Sequence, residues 1–379
     1  MIKRENGFSL IEMMIAVGIV SIILASAVTF FTLSVKQYKT QTKITASGLE
    51  GIIGLEMLRR DLENIGFGLP WNNVSFPYIE ISSGQAELLA RNDSGNPPRA
   101  IVGIDNATFT VNRSDYFAIK SLKVGIHPAA GKWTHLNYWG NKRIWTPPSE
   151  NLDNTDWVIV LKVGGTEANR RSLIRPNIYI RYDGVGGNIM DYTPEDSFSM
   201  NVMYGLGGDI PTRPFNRADY FIANAANNGI DVPLRCAPGT GVLVKGILPH
   251  NLLGGAMTLL PLLDCVADME VVYGIDTNGD RMIDTWGDWN STLGTIPAGP
   301  MAAALIRERL MEVRVSILAH EGQRDDSFMY ADNAVFVGTI AEMPPGVQRS
   351  FGRHYDVSTQ KNYRWKVYNL AVQPLSLAQ

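Results

Sequence analysis

From Phe8 to Val35 the chain runs for 28 residues with a single charged side chain, Glu12. A bilayer core needs about 20 apolar residues in a helix, so this stretch is long enough to span one. Residues 36–47 (KQYKTQTKITAS) then turn polar and basic. Beyond them Leu55, Leu58, Leu62 and Ile65 recur at spacings of 3, 4 and 3, one face of a helix, with Glu56, Arg59, Arg60 and Glu63 opposite. Gly66–Pro70 (GFGLP) is a stop signal. Gly48, Gly51 and Gly54 weaken the helix ahead of the stripe and leave room for a local break.

After residue 70 the period changes. Strand-like runs recur at Tyr78–Ser82, Ala86–Arg91, Ala107–Val111, Tyr116–Leu122, Trp157–Val163, Ile178–Tyr182 and Val242–Ile247. Others follow at Met269–Tyr273, Glu312–Leu318, Ala334–Thr339 and Tyr363–Val372. In the clearest, Met311, Val313, Val315 and Ile317 alternate with Glu312, Arg314 and Ser316, which predicts a half-buried strand. Clusters such as 91–98 (RNDSGNPP) read as turns, as do Gly205–Gly208 and Gly239–Gly241. Met301–Arg309 reads as a short helix. Residues 125–155 and 190–235 are loop-rich, an excursion or subdomain. Strands and helices do not alternate as a doubly wound sheet requires.

Composition narrows the class. The 379 residues carry a formal net charge of −3, which argues against nucleic acid as a partner. The five histidines (127, 135, 250, 320 and 354) have no metal-ligand spacing, and neither a nucleophile elbow nor a phosphate-cradling loop occurs. The pattern predicts no enzyme. Lys3 and Arg4 ahead of the apolar run predict a cytoplasmic N-terminus and an exported remainder. In an oxidising compartment Cys236 and Cys265 are candidates for one disulfide, the alternative being two buried thiols.

Two features ask for chemistry. A carboxylate within an apolar span costs about 2.5–3.5 kcal/mol at the helix centre and less near an end, so Glu12 calls for a functional reason. The second is Asp276-Thr-Asn-Gly-Asp-Arg-Met-Ile-Asp284, with side-chain oxygens of Asp276, Asn278, Asp280 and Asp284 at loop positions 1, 3, 5 and 9. Calcium takes six to eight oxygens, and the Met282 carbonyl would add one at position 7. Arg281 stands at position 6 where such loops favour glycine, and position 12 is Gly287, with Asp288 next to it. The alternative is an ordinary Asp/Asn/Gly turn between strands. Trp286 and Trp289, beside the loop, are candidates for a sugar- or partner-binding face.

Gly7-Phe8-Ser9-Leu10-Ile11-Glu12, after a short basic leader, resembles the class III signal of type IV pilins and type II secretion pseudopilins. The resemblance implies cleavage between Gly7 and Phe8 by prepilin peptidase and N-methylation of Phe8. It also implies that Glu12 meets the new α-amine of a neighbouring subunit and sets register. The expected fold is an α+β type IV pilin: a leader at 1–7, a helix at 8–68 (8–35 in the membrane, 36–68 on the head), and a β-rich exported head at 69–379. In it a spine helix packs on an enlarged antiparallel sheet. Unlike many major pilins, the membrane half has no proline.

Gly54–Gly68 (GLEMLRRDLENIGFG), Leu262–Asp284 and Tyr363–Tyr368 resemble the PilW-like minor pilins. This resemblance implies a minor pilin that primes pilus assembly or joins the tip complex, and it favours calcium in the loop. Its implied partners are prepilin peptidase, other minor pilins, the major pilin, the inner-membrane platform protein and a tip adhesin. Its expected place is the inner membrane with a periplasmic head, then the pilus. The alternatives are a minor pseudopilin of type II secretion and an adhesin-like binding head.

Overall fold

A computed structural model describes residues 9–72, 74, 76–82, 84–164, 170–176, 179–250, 257–295, 299–343 and 346–377. A single helix, α1 (Leu10–Glu63), carries both the apolar span and the apolar stripe without a break. At 1.5 Å per residue it is about 80 Å long. Two of its glycines serve packing. A Cβ on Gly54 would lie 1.9 Å from the Leu262 carbonyl oxygen, and one on Gly51 would lie 2.7 Å from the Leu263 side chain. The helix backbone therefore lies directly against the sheet where a break seemed open. Leu58, Leu62 and Ile65 are fully buried there, each contributing about 1.5–3 kcal/mol. The Asn64 N–H closes the last turn on the Arg60 and Asp61 carbonyls, and Gly66 takes φ 77° to turn the chain away.

The head holds short helices α2 (Ala86–Leu89), α3 (Ala225–Asn228) and α4 (Pro300–Arg309). Its strands are β1 (Ile101–Ile104), β2 (Tyr116–Ser121), β3 (Trp133–Leu136), β4 (Trp157–Lys162), β5 (Ser172–Leu173), β6 (Ile180–Arg181), β7 (Asn201–Gly207) and β8 (Asn216–Ala223). After these come β9 (Gly241–Ile247), β10 (Thr258–Ile275), β11 (Thr285–Gly287), β12 (Leu310–Glu321), β13 (Ala334–Met343), β14 (Val347–Asp356) and β15 (Arg364–Val372). The main sheet runs β1-β2-β8-β9-β10-β12-β15, with β11 also on β10, and every pairing is antiparallel.

Side-chain alternation gives this sheet two buried faces. Val271, Val315 and Ile317 join the core beneath α1, whereas their neighbours Val272 and Leu318 face a separate β13–β14 hairpin through Ala341, Val335 and Val337. The polar face of β12 is thus covered: Ser316 donates to the Gly338 carbonyl (2.9 Å), and Arg314 lies over the Trp286 ring (4.0 Å). A second sheet, β3-β7-β4-β5 with β6 on β4, forms the subdomain. Val158 and Val160 fill its own core, while Ile159 and Leu161 join the main one. It sits where α1 ends, since Trp71 donates to the Arg171 carbonyl (3.0 Å) and Gly68 abuts Tyr204.

Several expected elements differ. Ala86–Leu89 is helical, as Ala, Glu and Leu favour. Tyr78–Ser82 is extended but bonds to loops, with the Ile79 N–H on the Thr212 carbonyl (3.0 Å). Ala107–Val111 is turn. Gly205 and Gly207 lie inside β7; a Cβ on Gly205 would sit 2.3 Å from the Ala129 carbonyl oxygen, which explains a glycine within a strand. Ile178, the start of one expected strand, lies outside the described residues.

Candidate functional site

Gly7 and Phe8 lie outside the described residues. The first described turn of α1 places Glu12 at the third helical position, where its Oε2 accepts the Ser9 N–H at 3.0 Å. This satisfies one of the free amides at a helix start. Glu12 has no ion-pair partner among the described residues, so the carboxylate remains able to meet a cation brought by another chain.

Leu10–Lys39 is long and apolar enough to cross a membrane, with a mean hydropathy of 2.5 in its best window, and that window buries nothing against the head. The hydroxyls of Ser21, Ser26 and Thr29 donate to carbonyls four residues back, and Thr32 to one three back, so they need no water. Where α1 meets the sheet, the Lys245 ammonium lies 2.5 Å from Asp61, which also accepts the Tyr220 hydroxyl. Burial raises the Asp61 pKa, opposed chiefly by Lys245. The spine is held by this pair as well as by its apolar stripe.

Asp276–Asp284 forms the loop from β10 into β11. Asp276 Oδ1 accepts the N–H groups of Asn278 (3.0 Å) and Gly279 (2.6 Å), and its Oδ2 accepts that of Arg281 (2.8 Å). Asp284 Oδ2 accepts the Thr277 N–H and hydroxyl (2.7 and 2.8 Å). Asn278 Nδ2 reaches Asp280 (3.2 Å) and Asp284 (3.3 Å), which draws three of the four predicted side chains together, while Asp276 binds the loop's backbone. Arg281 takes the left-handed turn, φ 67°, that glycine would make easily. The wrapped backbone and all-oxygen donor set fit a hard cation. The Met282 N–H donates to Asp280 Oδ1 (2.8 Å) and its side chain points to solvent.

Cys236 and Cys265 are bonded to each other, tying the chain ahead of β9 to a bulge in β10. Trp286 and Trp289 form no binding face. Trp289 is wholly buried against Tyr273, and Trp286 lies beneath Arg314. The subdomain instead exposes Tyr138 and Trp139, in edge-to-face contact.

Sequence reasoning missed two buried charge clusters. In the first, Lys120 bridges Glu80 (2.9 Å) and Asp93 (2.5 Å), Arg99 pairs with Asp93 (2.6 Å), and Arg217 joins Glu80 (2.7 Å) to Asp219 (2.8 Å). Burial alone would raise Glu80; Lys120 and Arg217 overcome it and hold the carboxyl at about 2. In the second, Arg353 of β14 contacts Asp268 and Glu270 (3.0 Å), with Asp115 and Asp105 close by. Burial, then Asp115 and Asp268, push Glu270 up to about 9; burial lifts Asp115 to about 7 and Asp105 to about 6. The available signal was polar residues inside otherwise apolar runs, as in β8 (NRADYFIA), where every residue is buried.

The geometry defines a class: a protein with a long, bare apolar helix leading into an antiparallel β head, an α+β pilin arrangement. Residues 2–28 match the prokaryotic N-terminal methylation motif, the type IV prepilin-like signal. The chain thus carries the signal of a type IV pilin-like precursor, of a pilus or a pseudopilus, and its apolar helix fits membrane anchoring before assembly. No curated protein and no solved structure matches it.

Proposed function

We propose that the chain is a minor pilin of a type IV pilus, of the PilW-like kind, that primes assembly or forms part of the tip complex. The carrying observation is the contrast along α1. Its apolar half buries nothing, while its other half is fixed by packing and by Asp61–Lys245 to a large head. An uncovered apolar helix leaving the membrane needs other helices around it. A head with a second sheet at the far end of the spine is difficult to repeat along a tight shaft, which favours few copies at the tip.

In this reading prepilin peptidase cuts between Gly7 and Phe8, and Phe8 is methylated. Glu12 then exchanges its Ser9 contact for the α-amine of a neighbouring pilin. In low dielectric each charge offsets the other's desolvation, and the pairing sets register. Other minor pilins, the major pilin, the platform protein and a tip adhesin are its partners, and the head is periplasmic before assembly. Glu12→Ala, supplied as the sole copy, should be cleaved normally yet fail to co-purify with the other minor pilins. Normal pilus assembly by that variant would remove the register role. Co-purification of the native chain with secretion components instead would move the reading to a pseudopilus.

The 276–284 loop is the proposed calcium site, with Asp276, Asn278, Asp280 and Asp284 supplying side-chain oxygens and Met282 its carbonyl. Calorimetric titration of the full chain in detergent should show one calcium site and a raised Tm. No heat beside an unchanged Tm sinks this assignment.

A further inference from the structure

Trp71, just past the end of α1, gathers three cations. The guanidinium carbon of Arg307 lies 4.3 Å from the ring centre, that of Arg171 4.7 Å and that of Arg170 5.2 Å. They come from two separated places: the loop entering β5, and the last turn of α4. Arg307 has one carboxylate partner, Glu308 at 2.7 Å, and Glu308 is itself half exposed. Arg170 and Arg171 form no ion pair among the described residues, and one Nη of Arg171 is buried without a hydrogen-bond acceptor.

The backbone holds this crowding in place. Arg171 adopts φ 51°, in the left-handed region. Its N–H donates to the Lys162 carbonyl (2.8 Å) and its carbonyl accepts the Trp71 N–H (3.0 Å). Burial depresses its pKa, and the neighbouring charges of Arg170 and Arg307 add to that. A cation over an indole face is attracted by the ring, while like charges gathered on one ring repel each other. One arginine would staple Trp71 to the subdomain; a second and a third add repulsion to that contact. Strain and uncompensated charge at one point are what a binding site retains.

We propose that Arg170, Arg171 and Arg307, held on Trp71, bind an oxyanion of the phosphate class, as the free ion or a phosphomonoester. Among the described residues, three guanidiniums and Glu308 leave two positive charges, which a dianion neutralises and a single carboxylate does not. Guanidinium edges offer paired N–H donors that match phosphate oxygens, while the ring occupies their faces. This site stands apart from the assembly reading, and neither depends on the other.

The test is calorimetric titration of the full chain in detergent micelles with inorganic phosphate, at fixed ionic strength and with acetate as the monoanion control. We expect one saturable site, at least tenfold weaker for acetate, and at least tenfold weaker for phosphate in Arg170→Gln. Arg170 is exposed, so that variant should keep its fold, and its Tm in chloride should match the native chain's. Phosphate should raise the native Tm but not the variant's. Tighter binding of glycerol phosphate than of inorganic phosphate assigns the site to an ester-borne group, and the reverse assigns it to the free ion. Absence of saturable phosphate heat, equal affinity for acetate, or equal phosphate affinity in Arg170→Gln overturns the proposal.

Discussion

The two buried charge clusters of the head solve the same problem in opposite ways. Around Lys120, three carboxylates (Glu80, Asp93, Asp219) meet three cations (Arg99, Lys120, Arg217), and Glu80 is held ionised. Around Glu270, four carboxylates face Arg353 in contact and Arg91 farther off, and Glu270 is pushed toward its neutral form. The first cluster joins loops 80 and 93 to β2 and β8. The second sits where the β13–β14 hairpin docks, through Arg353. A balanced cluster is a fixed joint, whereas an acid-rich one is a joint whose strength depends on protons.

The largest effect should come from breaking the balance. Lys120→Met removes a wholly buried cation lying between two carboxylates. We expect a loss of about 3–5 kcal/mol, measured by urea unfolding of the full chain in detergent, and nearly the same loss at pH 6 and pH 8. A loss below about 1 kcal/mol would mean that these carboxylates take up protons readily, and the contrast between the clusters would fall.

Arg353→Met should cost less, about 1–3 kcal/mol at pH 7, because Glu270, one of the two carboxylates it contacts, is already pushed toward its neutral form. It also removes the bonds to Asn106 (3.0 Å) and the Asn112 carbonyl (3.1 Å), so the loss should appear first in protease cleavage near the hairpin. The deficit should grow from pH 5 to pH 8, as more of the unpaired acids must ionise. A deficit independent of pH would reduce Arg353 to a packing residue.

These clusters also mark how far the chain could be read from its sequence. The span, the 55–65 stripe and the alternation around Val313–Ile317 were legible because one kind of neighbour, lipid or core, wrote a simple period. β8 was not, since Arg217 and Asp219 interrupt its apolar run to meet partners from residue 80 and β2, and a pairing across 137 residues leaves no local period. β14 was missed for the converse reason: it covers β10 with one face and leaves most of the other polar. The Asp276 loop could be read as a turn with oxygen donors, but the left-handed Arg281 could not. At Trp286 and Trp289, proximity to that loop suggested a surface role that their burial overrules. Glu12 stood out as a lone charge in the span, whereas Arg170, Arg171 and Arg307 converge on Trp71 only in the folded chain.

The smallest expected effect is a slope. Glu270 titrates near 9 in the folded head against an ordinary value of 4.5, so between those values the folded state holds a proton that the unfolded chain has released. Its stabilising contribution is complete below about 4.5 and is lost as pH rises toward 9. Asp115 (3.8 raised to about 7) and Asp105 (3.8 raised to about 6) act in the same direction but finish earlier. His320, which burial depresses to about 4, acts oppositely, adding stability as pH rises from 4 to its ordinary 6.5. The window from pH 7 to pH 9 is therefore dominated by Glu270 among these four groups, with Asp115 completing its share by about pH 8. The Tm should fall across it, and Glu270→Gln, which keeps the shape but cannot ionise, should flatten that fall and raise the Tm at pH 8. Near-ultraviolet circular dichroism of both proteins at pH 7, 8 and 9 reads the difference. If the native chain shows no slope, or the variant keeps the native one, Glu270 is ionised in the folded head and the hairpin joint is as indifferent to protons as the Lys120 cluster.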